Sequence, residues 1–180
     1  MYDLTITGGT VVDGTGADRY LADVGVRGGR IVAVQRRTGT DDPGLTGPAA
    51  ETIDATGKVV APGFVDIHTH YDGQVSWDSL LEPSSGHGVT TVVTGNCGVG
   101  FAPVRPGREE WLIKLMEGVE DIPGTALTEG ITWGWESYPE YLDKLESQSL
   151  AVDVGSQVAH GAIRAYAMGD RGARNEPATP

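Results

Sequence analysis

The sequence predicts an α/β fold in which a small all-β module precedes a series of βα units. Two observations carry this prediction. Up to about residue 60, short β-branched runs alternate with glycine-rich turns, whereas from Val59 onward longer apolar runs alternate with stretches of helical periodicity. Strands that alternate with helices are typical of a parallel sheet. We therefore divide the chain into two parts, residues 1–60 and residues 61–180.

The composition excludes several classes of function. The 180 residues carry a formal net charge of −12, which argues against nucleic acid or an anionic membrane surface as a partner. The single cysteine leaves no internal disulfide framework, and no apolar run approaches the ~18 residues that span a bilayer. The N-terminus has neither the basic nor the apolar region of a signal peptide. We expect a soluble, cytoplasmic protein.

The first part of the chain predicts short strands joined by tight turns. Two alternating or β-branched runs end at the pairs Gly8-Gly9 and Gly28-Gly29. Two-residue glycine loops between such runs favour hairpins, because the turns that fit require positive φ. Residues 38–50 lack periodicity and predict a loop, after which Thr52-Ile53-Asp54 resumes the strand pattern.

Three apolar runs in the second part predict strands: 59–67, 88–94 and 150–159. Three segments show helical periodicity: 108–119, 137–145 and 162–168. Ser137 and Glu140 form a capping-box pair at the start of the second helix, and residues 124–134 predict a loop. Thr179-Pro180 is the pattern of a helix start, so we expect the chain to be truncated at its C-terminus.

Two histidines separated by one residue follow the first apolar run. Alternate side chains of an extended segment point the same way, so His68 and His70 can converge on one divalent ion. Asp72, two residues further on, is placed to orient an imidazole. A histidine pair of this spacing also occurs in turns that only face solvent. Its position after a buried strand favours metal binding.

Cys97 follows the second apolar run and is flanked by Gly95 and Gly98. A thiolate is a good zinc ligand beside imidazole, and glycines let the backbone come close to an ion. A lone cysteine is also often a small buried hydrophobe, whereas a nucleophilic cysteine would need a base that is not placed nearby. We predict that Cys97 is a metal ligand.

His160 ends the third apolar run, where a histidine often only bonds to the backbone. However, all three runs end in a potential ligand or catalytic side chain, and sites in parallel α/β folds form at the carboxyl ends of strands. We therefore expect one shared site in which His160 contacts the substrate. His87 precedes the second run, at the opposite end of that strand from Cys97, and is predicted to be structural.

Four segments together resemble the amidohydrolase superfamily: DLTITGGTVVDGTG, GKVVAPGFVDIHTHYD, HGVTTVVTGNCGVGFAPV and HGAIRAYAMG. The GNCG segment after HTHxD is similar to the D-aminoacylase, or N-acyl-D-amino-acid deacylase, branch. The resemblance covers nearly the whole chain. It implies the N-terminal part of a metal-dependent (β/α)8 barrel preceded by a small β-sandwich module. Residues 1–60 would belong to the sandwich, and residues 61–180 would form the first three βα units.

The same resemblance implies roles for individual residues. His68 and His70 match the metal histidines of the first barrel strand, and Cys97 matches the cysteine ligand that replaces the bridging group of other amidohydrolases. Zinc is the implied cofactor, and an N-acyl amino acid or related small amide is the implied substrate. The later histidine ligands, the catalytic aspartate and the substrate-binding arginine are expected beyond Pro180. No catalytic residue is therefore assigned within the chain.

Three functions remain open. The favoured one is deacylation of N-acyl-D-amino acids by a metal-activated water. The second is hydrolysis of a cyclic amide, as by a hydantoinase or dihydroorotase. Cys97 weighs against it, because those enzymes commonly bridge two metals with a modified lysine. The third is a non-catalytic fragment or scaffold with an incomplete metal site.

Overall fold

The computed structural model describes residues 1–39, 41–118 and 122–179. The chain divides into two compact units, Met1–Pro62 and Gly63–Pro180. Val119, at the end of a predicted helix, and Pro180, in the predicted helix start, lie outside the described residues. Among the helices that are described, none is both long enough and apolar enough to cross a membrane.

The described part of the first unit is a five-stranded mixed sheet. Its strands are β1 (Tyr2–Val11), β2 (Tyr20–Arg27), β3 (Arg30–Arg36), β4 (Ala49–Asp54) and β5 (Val59–Val60). The first three pair antiparallel in the order β3-β2-β1, whereas β4 and β5 both run parallel to β1. The core of this unit is small, with Val11, Ala22 and Val24 as its buried centre.

The two glycine pairs of this unit have different roles. Gly28 and Gly29, with φ values of 59° and 70°, form the turn between β2 and β3, as the sequence predicts. Gly8 and Gly9 lie instead inside β1, where the register against β2 shifts between Ile6 and Gly9. The hairpin predicted there is wrong, because the irregularity is absorbed as a bulge within one continuous strand.

The second unit is a parallel sheet with helices between and after its strands. The strands lie in the order β6 (Phe64–Asp66), β7 (Val89–Thr94) and β8 (Asp153–Ser156). The helices are α1 (Glu109–Glu117), α2 (Gly124–Gly130), α3 (Tyr138–Glu146), α4 (His160–Met168) and α5 (Asp170–Ala173). The predicted α/β class is therefore confirmed for the described residues.

Two of the predicted strands are shorter than expected. Pro62 lacks the N–H donor of a ladder, and the run 59–67 is split into β5, which pairs with β1, and β6. The run 150–159 is reduced to β8, since the N–H of Ala151 donates to Ser79 O rather than to the sheet. His160 consequently begins α4 instead of ending a strand.

The segment 124–134 is not the loop that the sequence predicts. Its first seven residues form α2, and Leu127 within that helix is completely buried in the core of the second unit. Two glycines and two threonines give α2 a low intrinsic helix propensity, which hides it from sequence patterns. Burial of Leu127 stabilises the helix despite that composition.

The capping box predicted for α3 is confirmed. The N–H of Glu140 donates to Ser137 Oγ at 3.4 Å, and the Glu140 carboxylate accepts from the N–H of Ser137 at 2.7 Å. The same carboxylate accepts from the N–H of Glu136 at 3.0 Å. These backbone donors hold the pKa of Glu140 below its usual value of 4.5, because they stabilise the ionised form.

The depressed pKa of Glu140 predicts a pH dependence of stability. The unfolded carboxyl binds its proton at higher pH than the folded one, so this contribution is complete above the unfolded pKa. It is lost as the pH falls through the folded pKa. We expect Glu140→Gln to lose less unfolding free energy than the wild type on acidification below about pH 4.5. Urea unfolding across this pH range measures the effect, and equal slopes for both proteins would contradict it.

Candidate metal centre

His68 and His70 lie immediately after β6. Both side chains are exposed, whereas Thr69 between them is buried, as expected for an extended segment whose side chains alternate. The two imidazole rings are 5.6 Å apart between centroids. The N–H of His68 donates to Asp66 Oδ1 at 3.1 Å, which ties the segment back to the last residue of β6.

Cys97 lies in a short 3₁₀ turn, Asn96–Gly98, that follows β7. Its φ of 55° is in the left-handed region, which costs a non-glycine residue about 1–2 kcal/mol. The turn also needs a glycine at position 95, where an added Cβ would lie 2.1 Å from Gln157 O. Strained backbone of this kind is concentrated at functional sites. Here it presents the Cys97 side chain to solvent.

The structure brings the two histidines and the cysteine together. One ligand atom from each of His68, His70 and Cys97 lies within 4.8 Å of the other two, and in the described residues no other such group of three is found. His68 Nε2 is 3.3 Å from Cys97 Sγ. Two ligands of one tetrahedral zinc ion are roughly 3.5 Å apart, given bonds of about 2.0–2.3 Å. The spacing and the donor types therefore fit zinc.

Asp72 is buried, with 4% of its surface exposed. Its Oδ1 accepts a hydrogen bond of 2.7 Å from the N–H of Gly95, which begins the turn that carries Cys97. This bond joins the end of the histidine segment to the cysteine turn. The predicted role of Asp72 in orienting an imidazole stays a prediction.

His160 is exposed on the first turn of α4, beside the cysteine turn. The two elements are so close that a Cβ added to Gly161 would lie 2.5 Å from Gly98 O. His160 and Cys97 both line a pocket of about 310 Å³, to which Arg164 also contributes. His160 thus lies at the same end of the sheet as the cluster without being one of its three ligand residues.

Two other places in the second unit carry a histidine or a pocket. His87 is exposed at the amino end of β7, opposite the end that leads to Cys97. A larger pocket of about 420 Å³ lies between the start of α1 and the end of α4, and no predicted site residue lines it. Its arginines already bond within the protein: Arg105 to Tyr166 O, and Arg108 to Asp170. The histidine and cysteine cluster is therefore the stronger candidate for a site.

Sequence reasoning missed three polar residues that connect the strand ends at this cluster: Thr69, Asn96 and Gln157. Each belongs to a segment that already carries a predicted site residue or lies just before one. The signal available in the sequence was their position near predicted site residues. Thr69 and Asn96 are adjacent to His68 and Cys97, and Gln157 is three residues before His160. Thr69 Oγ1 bonds to Val93 O and Gln157 Nε2 bonds to Asn96 Oδ1 over 24 and 61 residues of sequence, and no local pattern reveals these bonds. The bond from Asn96 Nδ2 to Val93 O spans only three residues.

Comparisons with known proteins identify relatives of this chain. A family model described as the Amidohydrolase family matches residues 51–180. D-aminoacylase from Alcaligenes xylosoxydans xylosoxydans is 38% identical over 170 residues, which are 94% of this chain and 31% of the relative. This chain therefore spans about a third of the length of that relative.

Solved structures similar to this chain include the following two. A D-aminoacylase described as having a binuclear metal center, with one-metal activation and second-metal attenuation, matches with a TM-score of 0.70 and 38% identity. The match covers 93% of this chain and 32% of that one. N-acyl-D-glutamate deacylase from Bordetella bronchiseptica, complexed with zinc and a phosphonate inhibitor, matches with a TM-score of 0.63 and 35% identity, covering 93% and 31%.

Proposed function

This chain belongs to the amidohydrolase family, and we propose that it is part of a metal-dependent hydrolase that removes the acyl group from N-acyl-D-amino acids. The observation that carries the proposal is the exposed cluster of His68, His70 and Cys97 at the carboxyl ends of β6 and β7. The similarity to D-aminoacylase and N-acyl-D-glutamate deacylase supports this substrate class. We further propose that the second unit is the start of a (β/α)8 barrel.

We propose zinc as the metal, with His68, His70 and Cys97 as its protein ligands. Two imidazole nitrogens and one thiolate form a donor set that suits zinc, and three protein ligands leave a coordination position open for catalysis. Bound zinc supplies a Lewis acid that polarises the acyl carbonyl and lowers the pKa of water towards neutrality.

In this proposal the residues of this chain bind the metal and contact the substrate. Ligation requires Cys97 as the thiolate and both histidines as neutral imidazoles, so metal binding releases protons and strengthens as the pH rises. His160 borders the pocket beside Cys97, where we propose that it contacts the acyl amino acid. We assign no general base among the described residues.

The proposal is tested with the full-length gene product and matched enantiomers. We expect hydrolysis of N-acetyl-D-amino acids, no comparable hydrolysis of the L-enantiomers, loss of activity with a chelator and recovery with zinc. Hydantoins and dihydroorotate serve as alternative substrates. Ring opening without deacylation would identify a cyclic-amide hydrolase instead. A protein that binds zinc but cleaves neither class would be a non-catalytic scaffold.

A further inference from the structure

We propose that Thr69 and Asn96 are positioning residues for the metal centre, because both hold their ligand-bearing segments to one backbone oxygen, Val93 O. The inference rests on the proposed function, since it concerns the same metal ligands. The inference explains how two separate segments of the chain are held at the spacing that one metal ion requires.

Thr69 fixes the histidine segment. Its side chain is 7% exposed, its Oγ1 donates to Val93 O at 2.9 Å, and its N–H donates to the same oxygen at 3.1 Å. Side chains alternate along an extended segment, so anchoring Thr69 towards β7 directs His68 and His70 to the opposite side. The residue between the histidines therefore decides which way the imidazoles face.

Asn96 holds the turn that carries Cys97. Its Nδ2 donates to Val93 O at 2.9 Å, and the same nitrogen lies 3.4 Å from Ile67 O and 3.5 Å from Thr69 O. Its Oδ1 accepts from Gln157 Nε2 at 3.0 Å. One amide thus connects the segments that follow β6, β7 and β8.

The shared acceptor couples the two ligand segments. Thr69 lies between the histidines, Asn96 directly precedes Cys97, and both donate to Val93 O, so the distance from His68 Nε2 to Cys97 Sγ is set through one atom of β7. A preorganised metal site avoids the loss of conformational entropy that a flexible site undergoes when it binds the ion. Residues that orient metal ligands typically change affinity or activity by about 10–100-fold when they are replaced.

Cobalt binding to the full-length gene product tests this inference. Co²⁺ replaces zinc in such sites, and ligation by the Cys97 thiolate gives a charge-transfer absorption in the near ultraviolet that reports the bond directly. The variants are Thr69→Val, which keeps the side-chain shape, Thr69→Ser, which keeps the hydroxyl, and Asn96→Ala. Thr132→Val is the matched control, since it removes a comparable hydroxyl bond, to Ser76 O at 3.1 Å, away from the ligands.

We expect Thr69→Val and Asn96→Ala each to weaken Co²⁺ binding by about 10–100-fold. Thr69→Ser should recover wild-type affinity, and Thr132→Val should stay within about twofold of it. Urea unfolding of each metal-free variant separates this effect from a loss of stability. If Asn96→Ala does not fold, Gln157→Ala removes only the donor to Asn96 Oδ1 and is expected to weaken binding in the same direction.

Two results would overturn the inference in distinguishable ways. Wild-type Co²⁺ affinity in Thr69→Val and Asn96→Ala would show that these residues do not position the ligands, while leaving the metal centre intact. Absence of the thiolate charge-transfer band in the wild-type protein would overturn the metal centre itself, and the positioning roles with it.

Discussion

Replacing His68 by alanine is expected to reduce zinc affinity by more than about 100-fold, a larger loss than removal of an orienting partner causes. The ligand atoms of His68, His70 and Cys97 lie within 4.8 Å of one another, and the substitution leaves only those of His70 and Cys97. Two ligands leave zinc short of the three or four protein ligands that its sites normally have. Hydrolysis of N-acetyl-D-amino acids should fall to background for the same reason.

His87→Ala is the matched control for this experiment. His87 is also an exposed histidine next to a strand of the same sheet, but it lies at the amino end of β7, away from Cys97. Zinc content after dialysis, together with the zinc affinity measured against a competing chelator, should match that of the wild type. Equal zinc affinity in His68→Ala and His87→Ala would show that the cluster is not the metal site.

Replacing Leu127 by alanine is expected to lower the unfolding free energy by about 2.7–5 kcal/mol. The Leu127 side chain is completely buried, and it packs so closely that a Cβ added to Gly73 would lie 2.9 Å from its Cδ2. Truncation therefore removes buried apolar surface and leaves a cavity that the surrounding core fills only in part. The four tryptophans of the chain all lie in the second unit, so their fluorescence reports on its unfolding in urea.

Leu142→Ala is the corresponding control on α3. Leu142 is also a helical leucine, but it is 41% exposed, so the same truncation should change the unfolding free energy by roughly 0.5 kcal/mol or less. A loss in Leu127→Ala as small as that in Leu142→Ala would contradict the burial of α2. It would favour the loop that the sequence pattern predicts for residues 124–134.

The sequence by itself determined the class of fold and the residues worth testing as ligands. Periodicity distinguishes the β-branched strands from the helical segments, and the capping pair Ser137 and Glu140 marks the start of α3. The residue types at 68, 70 and 97 indicate metal chemistry, because imidazole and thiolate are the preferred ligands of zinc. These are local properties, which a pattern along the chain can express.

Only the tertiary structure decided where these residues meet and what holds them. Local signals missed α2, because its propensity is low and burial of Leu127 compensates. The same local signals predict a single strand over residues 59–67, although β5 pairs with β1 and β6 pairs with β7. His68 Nε2 and Cys97 Sγ are 3.3 Å apart although 29 residues separate them in sequence, and Thr69 Oγ1 bonds to Val93 O on the neighbouring strand. Contacts of that kind arise only when the strands are side by side.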